Sequence, residues 1–166
     1  MVGTSWSQVN SDILLHWRLE GITWDDFVFK SSSPNGHMAL SASYIKVKGY
    51  WDKSLPNYKV NAVFNRELSW TTDTVSTNLL KHEQLHFDIA ELYARKIRVA
   101  IDELGNNDIN EDLPYNEIII ILLDSCDRIQ DFYDMKTSHG VYIPIQDAWE
   151  KTISNELDNL SDYMVK

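Results

Sequence analysis

The residues best suited to chemistry lie near the middle of the chain, in the run His82-Glu83-Gln84-Leu85-His86. Histidines four apart lie one above the other on a helix, so both imidazoles can reach one metal ion. Glu83 lies about 60° around such a helix from His86, at 3.6 residues per turn. That sets its carboxylate beside the metal, where it can hold and deprotonate a water. Two imidazoles, one base and an open coordination position are the minimum parts for zinc-assisted hydrolysis.

Catalytic zinc normally takes three protein ligands. Three histidines remain to supply the third: His16, His37 and His139. His139 is the strongest candidate, because it follows a helical stretch and precedes Gly140, which permits close backbone approach. His37 falls in a surface turn and His16 flanks Trp17 in a strand-like run. Asp134 is a rival oxygen ligand. Glu91 lies about 140° around the helix from His86 and points away from the metal. Tyr133 and Tyr142 flank the His139 loop, and either phenol is a candidate donor to the oxyanion of a tetrahedral intermediate. Packing is the alternative role for both.

These groups need elements to position them. Leu79, Glu83, His86, Ala90, Tyr93, Ala94, Ile97, Ile101 and Leu104 recur at three- and four-residue steps, which predicts a long helix. Its apolar half should enter a core while the motif half lines a cleft. Thr71, Thr72 and Asp73 are candidate caps, and Gly105-Asn106-Asn107 is a stop. Glu91 and Arg95 form an i,i+4 pair expected on the helix surface. A second helix is expected over 116–133, with Asp112 as a possible cap and Pro114 in its first turn. Its run Ile118–Leu123 is apolar all round, which predicts burial on more than one face; a central strand is the competing reading. The run 134–140 breaks that helix. A third starts near Pro144, with Ile145, Trp149, Thr152, Ile153, Leu157, Leu160 and Met164 as its buried stripe.

Upstream, 13–18 reads as a strand, and 39–50 and 58–64 alternate as a twisted antiparallel hairpin joined through 51–57. Ser31–Gly36 is a loop signal, and 1–12 reads as a loosely ordered N-terminal segment. The expected fold class is α+β: a small twisted antiparallel sheet, then a long H-E-x-x-H helix and two further helices, in a zincin-like arrangement.

With 166 residues the chain suggests one domain, spanning 1–166, with a sizeable core. Its net charge of −10 and lack of a basic stripe argue against nucleic-acid binding. The run IIIILL is too short to span a membrane. The first residues lack the basic and apolar regions of a signal peptide, so the compartment is left open by the residues alone. Cys126 is the only cysteine and falls in an apolar run, so a buried thiol is expected.

HEQLHFDIAELYARKI together with YDMKTSHGVYIPIQDAW resembles the bacterial proteins grouped as domain of unknown function 922, described as predicted secreted zinc-dependent proteases. The likeness reaches upstream to Trp24-Asp25-Asp26-Phe27 and to Phe64 with Ser69-Trp70, and covers about residues 14–155. It implies that His82 and His86 are metal ligands and Glu83 the base, that Thr137-Ser138-His139-Gly140 belongs to the site, and that Gln146 and Trp149 support it. It also implies export from the cytoplasm, to the periplasm or beyond. One departure is Leu85, where the family motif usually has glycine.

The expected function is a zinc metallopeptidase, with Zn²⁺ held by His82, His86 and His139, Glu83 as general base and a peptide or protein as substrate. The alternative is a non-catalytic, zinc-stabilised domain that binds a protein or peptide. A metal hydrolase acting on a non-peptide amide is a third possibility.

Overall fold

The computed structural model describes residues 13–33, 36–52 and 55–165. The segment 1–12 expected to be loosely ordered lies outside the described residues, as do Pro34 and Asn35 of the loop signal.

The alternating run forms the expected hairpin, β4 (Ser43–Asp52) against β5 (Leu55–Asn65), antiparallel from Ser43 with Phe64 to Asp52 with Leu55. β1 (Leu14–His16) pairs with the far side of β5, giving the order β1-β5-β4. The two strands take in residues 51–52 and 55–57, which the sequence suggested as parts of a connection. Pro56 pairs with Trp51 there. It is tolerated because, among the described residues, β1 reaches only Val63–Asn65 and no strand pairs with that side of β5 at Pro56.

A second sheet was not expected. β2 (Val28–Phe29), β3 (Ala39–Leu40) and β6 (Trp70–Thr71) align in the order β2-β6-β3, β2 parallel and β3 antiparallel to β6. Strands of two residues leave no alternation to read in a sequence.

Three helices follow: α1 (Thr77–Asn106), α2 (Asp112–Thr137) and α3 (Ile143–Asn159). The cap of α1 is Ser76, whose hydroxyl accepts from Leu79 N at 3.2 Å. The expected caps serve otherwise. Thr71 is buried in β6, and Asp73 accepts from Val75 N and Ser76 N to build the turn before the cap. The stop expected at Gly105-Asn106-Asn107 is found there: α1 ends at Asn106, with Asn107 as its C-cap.

α1 carries core on two sides. Phe87, Ala90, Ala94 and Ile97 pack against Val60, Ala62 and Phe64 of β5. Leu85, Ile89 and Leu92 pack against Cys126 and Tyr133 of α2 and Ile153 and Leu157 of α3. Leu85, the departure from the family pattern, thus fills the helical core. Cys126 is buried as expected, and that burial pushes its thiol up to about 12. The run Ile118–Leu123 is helical, which removes the strand reading. It is not apolar-packed all round: Ile119 is buried, while Ile120 and Ile121 are exposed. On α3, Ile153 and Leu157 are buried as read, but Ile145 is exposed and Gln146 takes its place. Glu91 and Arg95 are not a surface pair. Both are buried, and Glu91 accepts from Arg95 Nε and from Arg98, while Arg95 also donates to Leu157 O and Arg98 to Val60 O and Tyr163 O. No helix among the described residues is long and apolar enough to cross a membrane.

Candidate metal centre

Each residue of the His82–His86 run faces a different environment because α1 is surrounded. Gln84 accepts from Ile22 N at 2.7 Å and donates to Asp88, anchoring the loop before β2. Leu85 enters the helical core. His82, Glu83 and His86 turn toward a cleft of about 660 Å³. One wall of this cleft is His37–Ser41, including the edge strand β3; the other is the end of α2 and the turn after it, through Asp134, Ser138, His139 and Val141.

Three donor atoms converge at its floor. His82 Nε2 and His86 Nε2 are 3.3 Å apart, and each lies 3.0 Å from Asp134 Oδ1. A tetrahedral ion with bonds of about 2.0–2.1 Å to nitrogen or oxygen holds its ligands about 3.3 Å apart. The spacing of the three atoms therefore fits one Zn²⁺-sized ion. Among the described residues this is the group of His, Cys, Asp and Glu side chains close enough to share an ion.

The far nitrogen of each imidazole is engaged. His82 Nδ1 meets Tyr133 Oη at 2.9 Å. His86 Nδ1 is hydrogen-bonded to Gln130 Oε1, while Gln130 Nε2 donates to His86 O. An Nδ1–H donated outward leaves Nε2 as the lone-pair donor, the tautomer a metal needs. Burial works against protonating His86, but the hydrogen bond and charge of Asp134, the charge of Glu83 and the bond to Gln130 outweigh it and hold its pKa above the ordinary value. Burial likewise disfavours the Asp134 carboxylate, yet the hydrogen bonds and charge of the two histidines hold its pKa well below the usual carboxylate range.

Asp134 and Gln130 reach α1 together because α2 continues to Thr137 instead of breaking at Asp134. Four residues apart, they share the face turned to the histidines. The expected third ligand, His139, is not in the triangle. Its ring is 55% exposed, with Nδ1 3.5 Å from Asp134 Oδ2, and it meets His37 edge-on at 5.0 Å. Tyr133 is fully buried, with its hydroxyl on His82 and its ring against Trp149. Its hydroxyl meets an imidazole and the residue does not line the cleft, a different place from the substrate-facing one expected of an oxyanion donor. Tyr142 is exposed and does not line the cleft.

Glu83 is 4% exposed and lines the cleft beside both histidines. Among the described residues its carboxylate has no hydrogen-bond partner in the protein, so it is free to accept from a water. Gly140 closes the site from behind. Its φ is +82°, and a Cβ there would lie 3.0 Å from His82 Cβ and Cγ. Ser138 and His139 also have positive φ, and Thr137 closes the turn by accepting from Gly140 N and Tyr142 N. Gln146, buried and donating to Asn78 O, sits behind Gly140. Sequence reasoning missed Gln130; the signal was its four-residue spacing from Asp134.

A family model described as "Bacterial protein of unknown function (DUF922)" matches residues 34–140, which include the motif run, Asp134 and the Thr137–Gly140 turn. No curated protein and no solved structure matches the chain.

Proposed function

The chain belongs to the DUF922 family of bacterial proteins of unknown function, and from the geometry of its cleft we propose that it is a zincin-like, zinc-dependent metallopeptidase. The observation that carries this reading is the triangle of His82 Nε2, His86 Nε2 and Asp134 Oδ1, with the Glu83 carboxylate free beside it. His82, His86 and Asp134 would hold the ion, and the resemblance argued from the sequence favours export of the protein. When bound, Zn²⁺ supplies Lewis acidity, lowering the pKa of water towards about 7 and polarising a carbonyl.

The remaining chemistry falls to the chain. Glu83 accepts the proton of the attacking water as the new C–O bond forms. It then delivers that proton to the amide nitrogen as the C–N bond breaks, leaving a carboxylic acid and an amine. Tyr133 and Gln130 hold the imidazoles in one tautomer and orientation throughout. The wall formed by β3 suits an extended peptide. Thr72 N donates to Met38 O, and Leu40 pairs with Trp70, so strand alternation turns the Ala39 N–H and C=O to the open edge.

Glu83→Gln is expected to keep stoichiometric zinc while peptide hydrolysis falls by about 10²–10⁴-fold, the usual worth of a positioned base. Elemental analysis and a mixed-peptide cleavage assay measure both. Undiminished cleavage by that variant would reject Glu83 as base. Stoichiometric zinc in the native chain without chelator-sensitive cleavage of any peptide would favour the zinc-stabilised binding domain instead.

A further inference from the structure

The metal triangle sits where two cavities meet, and they differ in chemistry. The first, already described, displays Met38 and Leu40 on the β3 wall and Val141 opposite, which are 51%, 44% and 69% exposed. Among the described residues its carboxylates are those of Glu83 and Asp134. The second, about 480 Å³, shares His86 and Ser41 with the first and continues past them between the start of β4 and α2. It carries Asp127 and Asp131, both exposed, beside Tyr44 and Ile45. Among the described residues neither cavity is lined by lysine or arginine.

We infer that the substrate is an extended peptide with an apolar side chain on one side of the scissile bond and a basic side chain on the other, and that acidic peptides are rejected. The inference rests on the metallopeptidase reading. Exposed aliphatic side chains on facing walls gain by covering another apolar group, not by staying in water. On the other side, Asp127, Gln130, Asp131 and Asp134 follow one face of α2. Asp131 and Asp127 lie three and seven residues before Asp134, about 4.5 and 10.5 Å along the helix. An extended peptide advances about 3.3 Å per residue, so the basic residue falls about one to three residues from the bond cut. Among the described residues an incoming Asp or Glu finds no lysine or arginine to pair with in either cavity, and in the second it meets Asp127 and Asp131.

The test is an internally quenched peptide library, randomised over three residues on each side of the scissile bond, cut by the full chain loaded with Zn²⁺. The expected profile favours Leu, Ile, Val, Met or Phe over Asp or Glu on one side by about ten- to a hundredfold, the worth of burying such a side chain. On the other side it favours Lys or Arg, with a preference that shrinks as salt is raised. Leu40→Arg should admit Asp or Glu on the apolar side. The pair Asp127→Lys and Asp131→Lys should abolish the basic preference, and each variant is checked for zinc content and melting temperature. Cleavage without side-chain preference, or variants that fold and bind zinc but leave the profile unchanged, would overturn the inference and leave the peptidase reading standing. No turnover of any peptide by the zinc-loaded chain would overturn both.

Discussion

Asp134 and His139 lie five residues apart and both face the cleft, yet only the carboxylate has an atom at bonding reach of both His82 and His86. Replacing Asp134 by Ala should therefore lower zinc affinity by more than the ten- to hundredfold typical of losing an outer-shell partner, whereas His139→Ala should stay within about that range. Competition against a chelating dye measures both, and a reversed order would restore His139 as the ligand. Protons compete for the same atoms. His86 has its folded pKa raised, so the stability it contributes to the metal-free protein is fully present below its unfolded value, about 6.5, and is lost as pH rises through the folded value. Asp134 has its folded pKa depressed. Its contribution is present above about 3.8 and is lost as pH falls through the folded value. Between those limits the pair contributes fully to the metal-free chain. Metal needs His86 neutral, so zinc affinity should climb with pH across and above that window, while the metal-free melting temperature loses the pair's share only above it, as pH passes the raised pKa of His86. Zinc affinity that is flat between pH 5 and 8 would contradict this coupling.

Among the elements, the turn between α2 and α3 is the least forgiving. Gly140 at φ +82° presses against His82, so Gly140→Ala adds both left-handed strain and a contact at 3.0 Å. A destabilisation of about 1–2 kcal/mol from the conformation alone is expected, together with a loss of zinc affinity as the imidazole is displaced. Denaturant unfolding and zinc titration separate the two effects; unchanged values in both would mean that the turn moves freely. This region also marks the boundary of what the sequence revealed. The motif helix, the hairpin and the helix opening near Pro144 were legible because long periodic runs carry their own signal. His82, Glu83 and His86 were legible because their geometry lies within one helical turn. The third corner of the triangle was legible only as a rival to His139, since the choice depended on where α2 stops. Asp134 to Gly140 contains polar residues and a glycine, which read as a break at Asp134. The helix instead runs to Thr137, whose hydroxyl bonds back to Tyr133 O and receives Gly140 N. A side chain bonding within its own turn holds the last turn without apolar periodicity. The role of Tyr133 was hidden for a related reason: a phenol aimed at a buried imidazole and one aimed at substrate have the same sequence spacing.

For the molecule as a whole, the question is how much of the fold depends on an ion. The candidate ligands His82, His86 and Asp134 join α1 to α2 alone. The same two helices are already joined through Leu85, Ile89, Cys126 and Tyr133, and α1 is tied to β5 through Phe87, Ala90 and Phe64. A buried network from Glu91 through Arg95 and Arg98 links α1 to α3, β5 and the C-terminal turn, independently of the cleft. Chelation should therefore loosen the cleft without unfolding the chain, unlike a zinc finger, whose fold is lost with its metal. Zinc present at 100 times its dissociation constant adds about 2.7 kcal/mol to the folded state. For a chain of this size each kcal/mol moves the melting temperature by about 2–4 °C, so removing the metal should lower it by about 5–10 °C. The transition should stay cooperative and far-ultraviolet circular dichroism should be nearly unchanged before melting. Loss of cooperative unfolding on chelation would make the ion part of the core. An unshifted transition after added zinc would mean that the triangle of His82, His86 and Asp134 does not take up that ion, and the hydrolytic reading would lose its footing.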